Sequence, residues 1–517
     1  MAQNYYITTP IYYVNDKPHI GHAYTTLACD VLARFKRLDG FDVTFLTGTD
    51  EHGQKVEIAA QDKGVSPQSF TDEVSQNFRD LTGQMNFSND DFIRTTEPRH
   101  KLACQEIWRR LQERGHIRLG NYAGWYSVRD EAFFTETEVV DGKAPTGAPV
   151  EWVEEPSYFF NLSHWQQPLL DFYAENPDFV GPESRFNEVK SFVKGGLRDL
   201  SVSRASFKWG IPVPGDPDHV MYVWLDALTN YLTASGWPGD GASGDQKKYE
   251  TLWPADLHMV GKDILRFHAV YWPAFLMAAE LPLPKRVYAH GWWTNEGQKI
   301  SKSLGNVIDP NALTAQYGLD QTRYFLMREV PFGNDGDFSA TAMVHRMNGD
   351  LANDFGNLCQ RVLSMIFKNC DAVMPFLPEQ PSVIDTELLT AADRLLDQVR
   401  DMLDRQAFNE ALRCIWQVVA DANRYVDTTA PWALKKNDPK RMAEVLAVLA
   451  ETIRQVAILV QPVMPQSAAL VLDQLGVDSA ARDFRFIAGQ QRLSAGNVIE
   501  KPVPVFPRYQ EEGGADG

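Results

Sequence analysis

The chain opens on YYITTPIYY (residues 5–13), a run of β-branched and aromatic residues that predicts a strand, with Pro18 as its stop. Apolar positions then change period: Ala23, Leu27, Val31, Ala33 and Leu38 follow helical spacing until Asp39-Gly40 ends the run. FDVTFLTGTDEHG (41–53) returns to a buried strand that finishes in a glycine-rich, acidic turn. Strand, helix, strand predicts a parallel pair with a right-handed crossover, and in such sheets ligands bind at the carboxyl ends of the strands. HIGH (19–22) and GTDEHG (48–53) therefore fall at one rim.

Beyond this first α/β segment, residues 1–117, the character changes. Over 118–219 the chain reads as short aromatic-rich strands and turns, NYAGWYSVRDEAFF and GAPVEWVEEPSYFF around the loop DGKAPTGAP, which predicts an inserted connective domain. The α/β pattern resumes over 220–295 with HVMYVWLDALTNYL and DLHMVGKDILRFHAVYWPAFL, followed by a linking region over 296–340. From 341 to 490 the periodicity is helical. Met343, Met347, Leu351, Phe355, Leu358, Val362 and Met365 recur every three or four residues, and further helical runs fill roughly 385–428 and 439–460. A Gly- and Glu-rich tail, 491–517, ends the chain, and no internal repeat is present.

HIGH places His19 and His22 in the first turn of the first helix, where free backbone N–H groups and the helix dipole favour an anion. Gly21 between them leaves the backbone bare enough for a flat ring. Nucleotide phosphate is one reading. A metal site using His19, His22, Asp50 and His52 is a second, and chance is a disfavoured third.

With 517 residues, 44% hydrophobic and 23% charged, the chain has core enough for several domains. No basic start precedes an apolar run, and the most apolar late stretch, VLAVLAETIRQVAILVQPVM, is interrupted by Glu451, Arg454 and Gln455, so neither export nor a membrane span is expected. Five cysteines without a Cys-x-x-Cys pair fit reduced thiols in a cytoplasm. A formal net charge of -18 means that a nucleic-acid partner would have to be held on local basic patches. Arg109-Arg110, Lys247-Lys248, Lys435-Lys436 and Lys440-Arg441 are candidates, each equally a solvated face.

KISKS, Lys299 to Ser303, lies in the loop NEGQKISKSLGN, where two lysines beside small hydroxyl residues can neutralise a polyphosphate as charge builds on it. Alone it reads as solvated surface; paired with HIGH it resembles the signatures of class I aminoacyl-tRNA synthetases. The strings PIYYVND, GTDEHG, SRASFKWGIPVPGD, YVWLDAL, GKDI, FHAVYWPAFL and PFGNDGDFS are similar to the methionyl branch of bacterial type, from the first strand to about residue 465. The resemblance implies a Rossmann-type parallel-sheet catalytic domain (α/β), split by an inserted domain and followed by an all-α anticodon-binding bundle.

It further implies ATP-dependent ligation of L-methionine to tRNA(Met) through a methionyl-adenylate, with release of AMP and pyrophosphate. His19 and His22 would hold phosphates, Gly21 and Gly261 admit the adenine, and Asp263 hold the ribose. Lys299 and Lys302, with Ser301 beside them, would steady the departing pyrophosphate together with Mg²⁺. A thioether offers no strong hydrogen-bonding group, so its pocket should be apolar and soft. Trp224, Ala227 and Tyr231 lie at i, i+3 and i+7, and Ile264, His268 and Trp272 follow at fours, so each set can line one helical face; ordinary core would show the same spacing. Leu228 stands where some members carry Pro; Asp50 is the expected partner of the substrate's ammonium, with Ile11 and Tyr13 completing the site. Asn357, Arg361 and Trp432 match the anticodon readers, which bind splayed bases by stacking and by hydrogen bonds to their edges.

The insertion departs from relatives that carry zinc knuckles: WYSVRDEAFF has Ser127 and Asp130 where thiolates would stand, so no structural zinc is expected and no other metal ligand set is assigned. Packing around Trp125, Tyr126, Phe133, Phe134 and Trp152 should hold it instead. The chain stops soon after the bundle, without the barrel by which some relatives dimerise, so a monomer is expected. Three competitors stay open: a metal-dependent hydrolase, a small-molecule nucleotidylyltransferase and a tRNA-binding protein without catalysis.

Overall fold

The computed structural model describes residues 2–14, 17–129, 132–134, 136–239, 244–300, 306–487 and 491–510, excluding the side chains of Ala132, Phe133 and Lys299. The chain divides into two compact units. One comprises Asn4–Cys29 and Val43–His290; the other comprises Met1–Gln3, Asp30–Asp42 and Gly291–Gly517.

A seven-stranded sheet builds the first unit. Its order runs Tyr12–Tyr13, Asp42–Asp50, Asn4–Thr8, Leu257–Gly261, Val287–His290, Val180–Gly181, with Asp91–Arg94 also on Asp42–Asp50. The pairings on both sides of Leu257–Gly261 are parallel, as are those that join Tyr12–Tyr13 and Asp91–Arg94 to Asp42–Asp50. The last six residues of Asp42–Asp50, Phe45 to Asp50, are all buried, as in a central strand covered on both faces, although only Phe45 and Leu46 among them are apolar. The helix after the first strands, Ile20–Leu38, starts at HIGH.

Helices Pro98–Glu113, Val223–Ser235 and Trp272–Ala278 supply the core with Trp108, Tyr231, Trp272 and Phe275, each at most 1% exposed. At about 1.5–3 kcal/mol for each large side chain removed from water, such a cluster is a principal source of this unit's stability. The interval 118–219 is more mixed than its aromatic pattern suggests. Its strands are long: Ile117–Ser127 pairs with Glu151–Phe160 in an antiparallel ribbon whose register runs from Ile117↔Phe160 to Tyr126↔Glu151. Beyond the ribbon come helices Gln166–Glu175 and Glu183–Lys194, and Val180–Gly181 joins the edge of the main sheet. Trp125 and Trp152 meet edge to face at 5.4 Å and Trp125 pairs in register with Phe134, while Asp130 lies outside the described residues.

The second unit is mainly helical. The run from 340 to 369 is an α-helix to Arg346, a π-helix over Met347–Gly356 and an α-helix again over Asn357–Asn369. The four-residue spacing of Met343, Met347, Leu351 and Phe355 suits the wider π turn, and all four are buried. The predicted run over 385–428 is two helices, Val383–Asp404 and Phe408–Thr429, broken where Gln406 takes a positive φ of 58°. Ser382 and Asp385 form a reciprocal cap on the first of them. In Pro439–Val460 every residue from Val445 on is buried. The polar trio that interrupts its apolar run is a buried network, in which Arg454 and Gln455 both donate to Glu451. No helix among the described residues is long and apolar enough to cross a membrane. Within 491–510 the chain is docked on the bundle: Met374 donates its N–H to Asn497 O (2.8 Å), Ile499 donates to Ala372 O (2.8 Å), and Phe506 is buried against Phe355.

Candidate active site and anticodon face

HIGH is organised by its own backbone. The His19 ring folds over the helix start so that Nδ1 accepts the Gly21 N–H (3.1 Å), and His22 Nδ1 accepts the His19 N–H (3.0 Å). Both rings therefore use Nδ1 as acceptors, which puts the proton of each neutral imidazole on Nε2. The rings lie 3.9 Å apart, and His22 is wedged between Tyr12 (4.8 Å) and Phe78 (5.3 Å). A Cβ on Gly21 would sit 2.9 Å from the His19 ring, so the glycine is needed for the cap itself as well as for an approaching ligand. The first turn thus sets two imidazole rings at the positive end of a helix, where an anion is favoured.

Parallel strands bring further residues to the same rim. Asp50 ends its strand in register with Tyr13 and is 8% exposed; Ile11 and Tyr13 pack at the edge of the large core. Gly261 ends its strand opposite His290, whose Nε2 lies 2.6 Å from Thr25 Oγ1 on the HIGH helix. Asp263 follows in a short 3₁₀ turn, Lys262–Ile264, and a Cβ on Gly261 would come within 2.5 Å of its carboxylate.

The residues expected to form an aromatic wall are mostly buried. Ala227, Leu228, Tyr231, His268 and Trp272 are each no more than 5% exposed, with Trp224 and Ile264 partly buried at its margin. Trp224, Ala227 and Tyr231 share a face of a regular helix, Val223–Ser235. Ile264, His268 and Trp272 do not share a regular helix: they span a 3₁₀ turn, a π turn over Phe267–Tyr271 and the start of an α-helix. His268 Nδ1 donates to Ile264 O (3.0 Å), leaving Nε2 to accept the Tyr231 hydroxyl (2.7 Å). Burial pushes the His268 imidazole down to about 4, so it is a neutral acceptor near pH 7. Phe267, outside the spacing in fours, stacks on Trp224 at 3.6 Å and 6°.

Also unforeseen is the polar layer beneath the rim. Glu51, fully buried, accepts two bonds from Arg94 (2.7 and 2.9 Å) and one from Thr96 (2.6 Å). Asp226 accepts from His52 Nδ1 (2.6 Å) and His100 Nε2 (2.7 Å). His52 stood out in the sequence only as a metal ligand candidate, and His100, inside the helical run PRHKLACQ, gave no signal at all. Among the described residues one trio of possible metal donors gathers, His100, Cys104 and Asp226; His19, His22, Asp50 and His52 do not form one.

The KISKS region belongs to the other unit. Trp293–Asn295 and Gln298–Lys299 form a hairpin whose turn, Glu296-Gly297, has φ of 48° and 76°, and Asp337 Oδ1 accepts the Gly297 N–H (2.8 Å). Ser301 and Lys302, with the Lys299 side chain, lie outside the described residues. In the same unit the Arg361 guanidinium sits over the Trp432 ring at 5.6 Å and pairs with Asp427 at 3.3 Å. Trp432 is 50% exposed, and Asn357 is exposed one turn before Arg361.

Comparison with known proteins settles the lineage. The family described as tRNA synthetases class I (M) matches residues 5–149 and 144–363, and the anticodon binding domain of methionyl tRNA ligase matches 377–516. The methionine–tRNA ligase of Rickettsia felis is 57% identical over 513 residues, 99% of this chain and 99% of its own. The chain belongs to the methionine–tRNA ligase family. That of Mesorhizobium japonicum is 55% identical over 99% of both chains. Among solved structures, Mycobacterium tuberculosis methionyl-tRNA synthetase in complex with methionyl-adenylate superposes with a TM-score of 0.94 at 52% identity, over 98% of this chain and 100% of that one. The methionine–tRNA ligase fold, a Rossmann-like α/β sheet followed by a helical anticodon-binding domain, is thus the fold of this chain.

Proposed function

We propose that this chain activates L-methionine with ATP and transfers the methionyl group to tRNA(Met), releasing pyrophosphate and AMP. The reading is supported by two features of one unit, a helix start capped by His19 and His22 and a buried, largely aromatic cluster around Tyr231, His268 and Trp272. A phosphate held at the first and a thioether packed in the second would bring the methionine carboxylate to the α-phosphate. The protein's contribution is positioning and electrostatic stabilisation, since attack by the carboxylate needs no covalent enzyme intermediate.

In this reading Asp50, with Ile11 and Tyr13, receives the ammonium end, Trp224, Ala227, Leu228 and Ile264 complete the pocket, and Gly21, Gly261 and Asp263 receive the nucleoside. Lys299, Ser301 and Lys302 neutralise the leaving pyrophosphate. Mg²⁺ would arrive on the ATP phosphates, because no trio of carboxylates gathers at the rim among the described residues to hold it independently. Asn357, Arg361 and Trp432 read the anticodon, the half-exposed Trp432 serving as a stacking platform with Arg361 over it. The insertion works without structural zinc, and the enzyme acts as a cytoplasmic monomer.

The deciding experiment is ATP–pyrophosphate exchange by the purified protein with methionine, run beside leucine, isoleucine, valine and cysteine. Exchange with methionine alone is expected. Exchange with another amino acid would overturn the specificity, and none at all would overturn the chemistry.

A further inference from the structure

Asp226 is 0% exposed and sits on the helix Val223–Ser235 between Trp224 and Ala227, yet its carboxylate is turned away from solvent into a pair of imidazoles. Its Oδ2 lies 2.6 Å from His52 Nδ1 and its Oδ1 2.7 Å from His100 Nε2. His100 comes from a third element, Pro98–Glu113, and its other nitrogen reaches Thr233 Oγ1 (3.1 Å), back on the pocket helix. His52 is two residues past Asp50. Its ring edge meets Trp209 at 5.3 Å, and the turn around it is tied to the same residue: Trp209 Nε1 donates to Glu51 O (2.5 Å) and Gly53 N–H to Trp209 O (3.0 Å).

Burial alone would raise the Asp226 carboxyl, but the charge of His52 and the hydrogen bonds from His100 and His52 outweigh it and hold the group at about 2. A buried carboxylate with two N–H donors, each from a different element, is satisfied in one arrangement only; a shift of either element leaves an uncompensated charge. The bond network therefore measures the distance between the carboxyl end of the Asp50 strand and the pocket helix.

We propose that Asp226, held between His52 and His100, is a positioning residue for amino-acid activation, fixing the Asp50 carboxylate at a set separation from the wall formed by Trp224, Ala227 and Tyr231. The proposal rests on the reading of Asp50 as the ammonium's partner and of that wall as the thioether's pocket. Its consequence is that the two ends of the amino acid are gauged together, so a side chain of the wrong length cannot satisfy both.

The alternative use of the same atoms is a metal site with His100, Cys104 and Asp226 as ligands. Tetrahedral zinc with bonds of 2.0–2.3 Å separates its ligand atoms by about 3.3–3.8 Å. Here His100 Nε2 stands 2.7 Å from Asp226 Oδ1 and 3.2 Å from Cys104 Sγ, the spacing of shared hydrogens.

The test compares binding of methionine with that of 4-(methylthio)butanoate, which keeps the thioether and carboxylate and lacks the ammonium. In Asp226→Asn and in His52→Ala, methionine should bind about tenfold more weakly or worse, with the des-amino analogue and ATP within about twofold of wild type. His52→Gln, which keeps an N–H donor for Asp226, should recover most of the loss, and it decides the matter if Asp226→Asn does not fold. Equal weakening of methionine and the analogue would make the triad merely structural and overturn the proposal, as would unchanged methionine binding. One zinc per chain in the wild type, lost in Cys104→Ser, would overturn it in favour of the metal. Failure of the underlying reading shows separately, as a wild-type protein that binds the two compounds equally or supports no methionine-dependent exchange.

Discussion

Tyr231→Phe removes one oxygen atom and leaves the ring in place, which makes it a clean probe of the pocket. In the folded chain that hydroxyl donates to His268 Nε2 over 2.7 Å, while His268 Nδ1 is committed to Ile264 O. His268 is 1% exposed, so the vacated acceptor cannot turn to bulk water. Leaving a buried acceptor without its donor costs about 1–3 kcal/mol, or about 5- to 150-fold in an equilibrium constant at 1.4 kcal/mol per decade. The imidazole then loses one of the two bonds that fix its rotation, and the wall it forms loosens. Measured by methionine-dependent ATP–pyrophosphate exchange, KM for methionine should rise within that range, with KM for ATP within about twofold of wild type. A KM for methionine unchanged in a variant of wild-type thermal stability would refute the argument that this bond orients His268 in the pocket.

Three further outcomes are expected. Trp432→Ala should lower kcat/KM for tRNA aminoacylation by about 5- to 150-fold, the loss of one stacked base at 1–3 kcal/mol, and leave pyrophosphate exchange untouched; a parallel fall in exchange would show a folding defect instead. His19→Asn, whose Oδ1 can still cap the Gly21 N–H but offers no matching imidazole donor, should keep the wild-type melting temperature and lose about 10²–10³-fold in exchange rate, and retained activity would remove His19 from the phosphate site. Stability should fall as the solution is acidified: burial depresses His268 from 6.5 to about 4, so between those values the unfolded chain takes up a proton that the folded one refuses, worth up to about 3 kcal/mol. His258, also lowered by burial, adds to the same trend, and urea midpoints that stay flat from pH 7 to 4.5, or a slope unaffected by His268→Gln, would contradict it.

The sheet, the HIGH helix and the pocket helix were legible because each repeats a short-range rule: β-branched runs for the strands, i, i+3 and i+7 spacing for Trp224, Ala227 and Tyr231. What was not legible came from places where the backbone leaves its regular period or where partners meet over long separations. The π turns over Phe267–Tyr271 and Met347–Gly356 stretch the helical repeat, so a count in fours succeeds for the wrong geometry. Val180–Gly181 is only two residues long, too short to carry any alternation, and reaches the sheet by tertiary pairing alone. His100 meets Asp226 across 126 residues, and nothing local in either helix marks the encounter. Phe506, in the segment read by composition as a Gly- and Glu-rich tail, is buried against Phe355.

The aromatic ribbon of the connective region has a consequence for how such chains diversify. Tyr126 and Glu151 are cross-strand partners, so the segment between them begins and ends one strand spacing apart, about 4.8 Å. Whatever occupies that gap is topologically a hairpin tip, tied to the ladder only at its mouth, where Phe134 pairs with Trp125. Such a cassette can be lengthened, shortened or exchanged for a metal-bearing version by recombination at two adjacent points, with no other strand obliged to move.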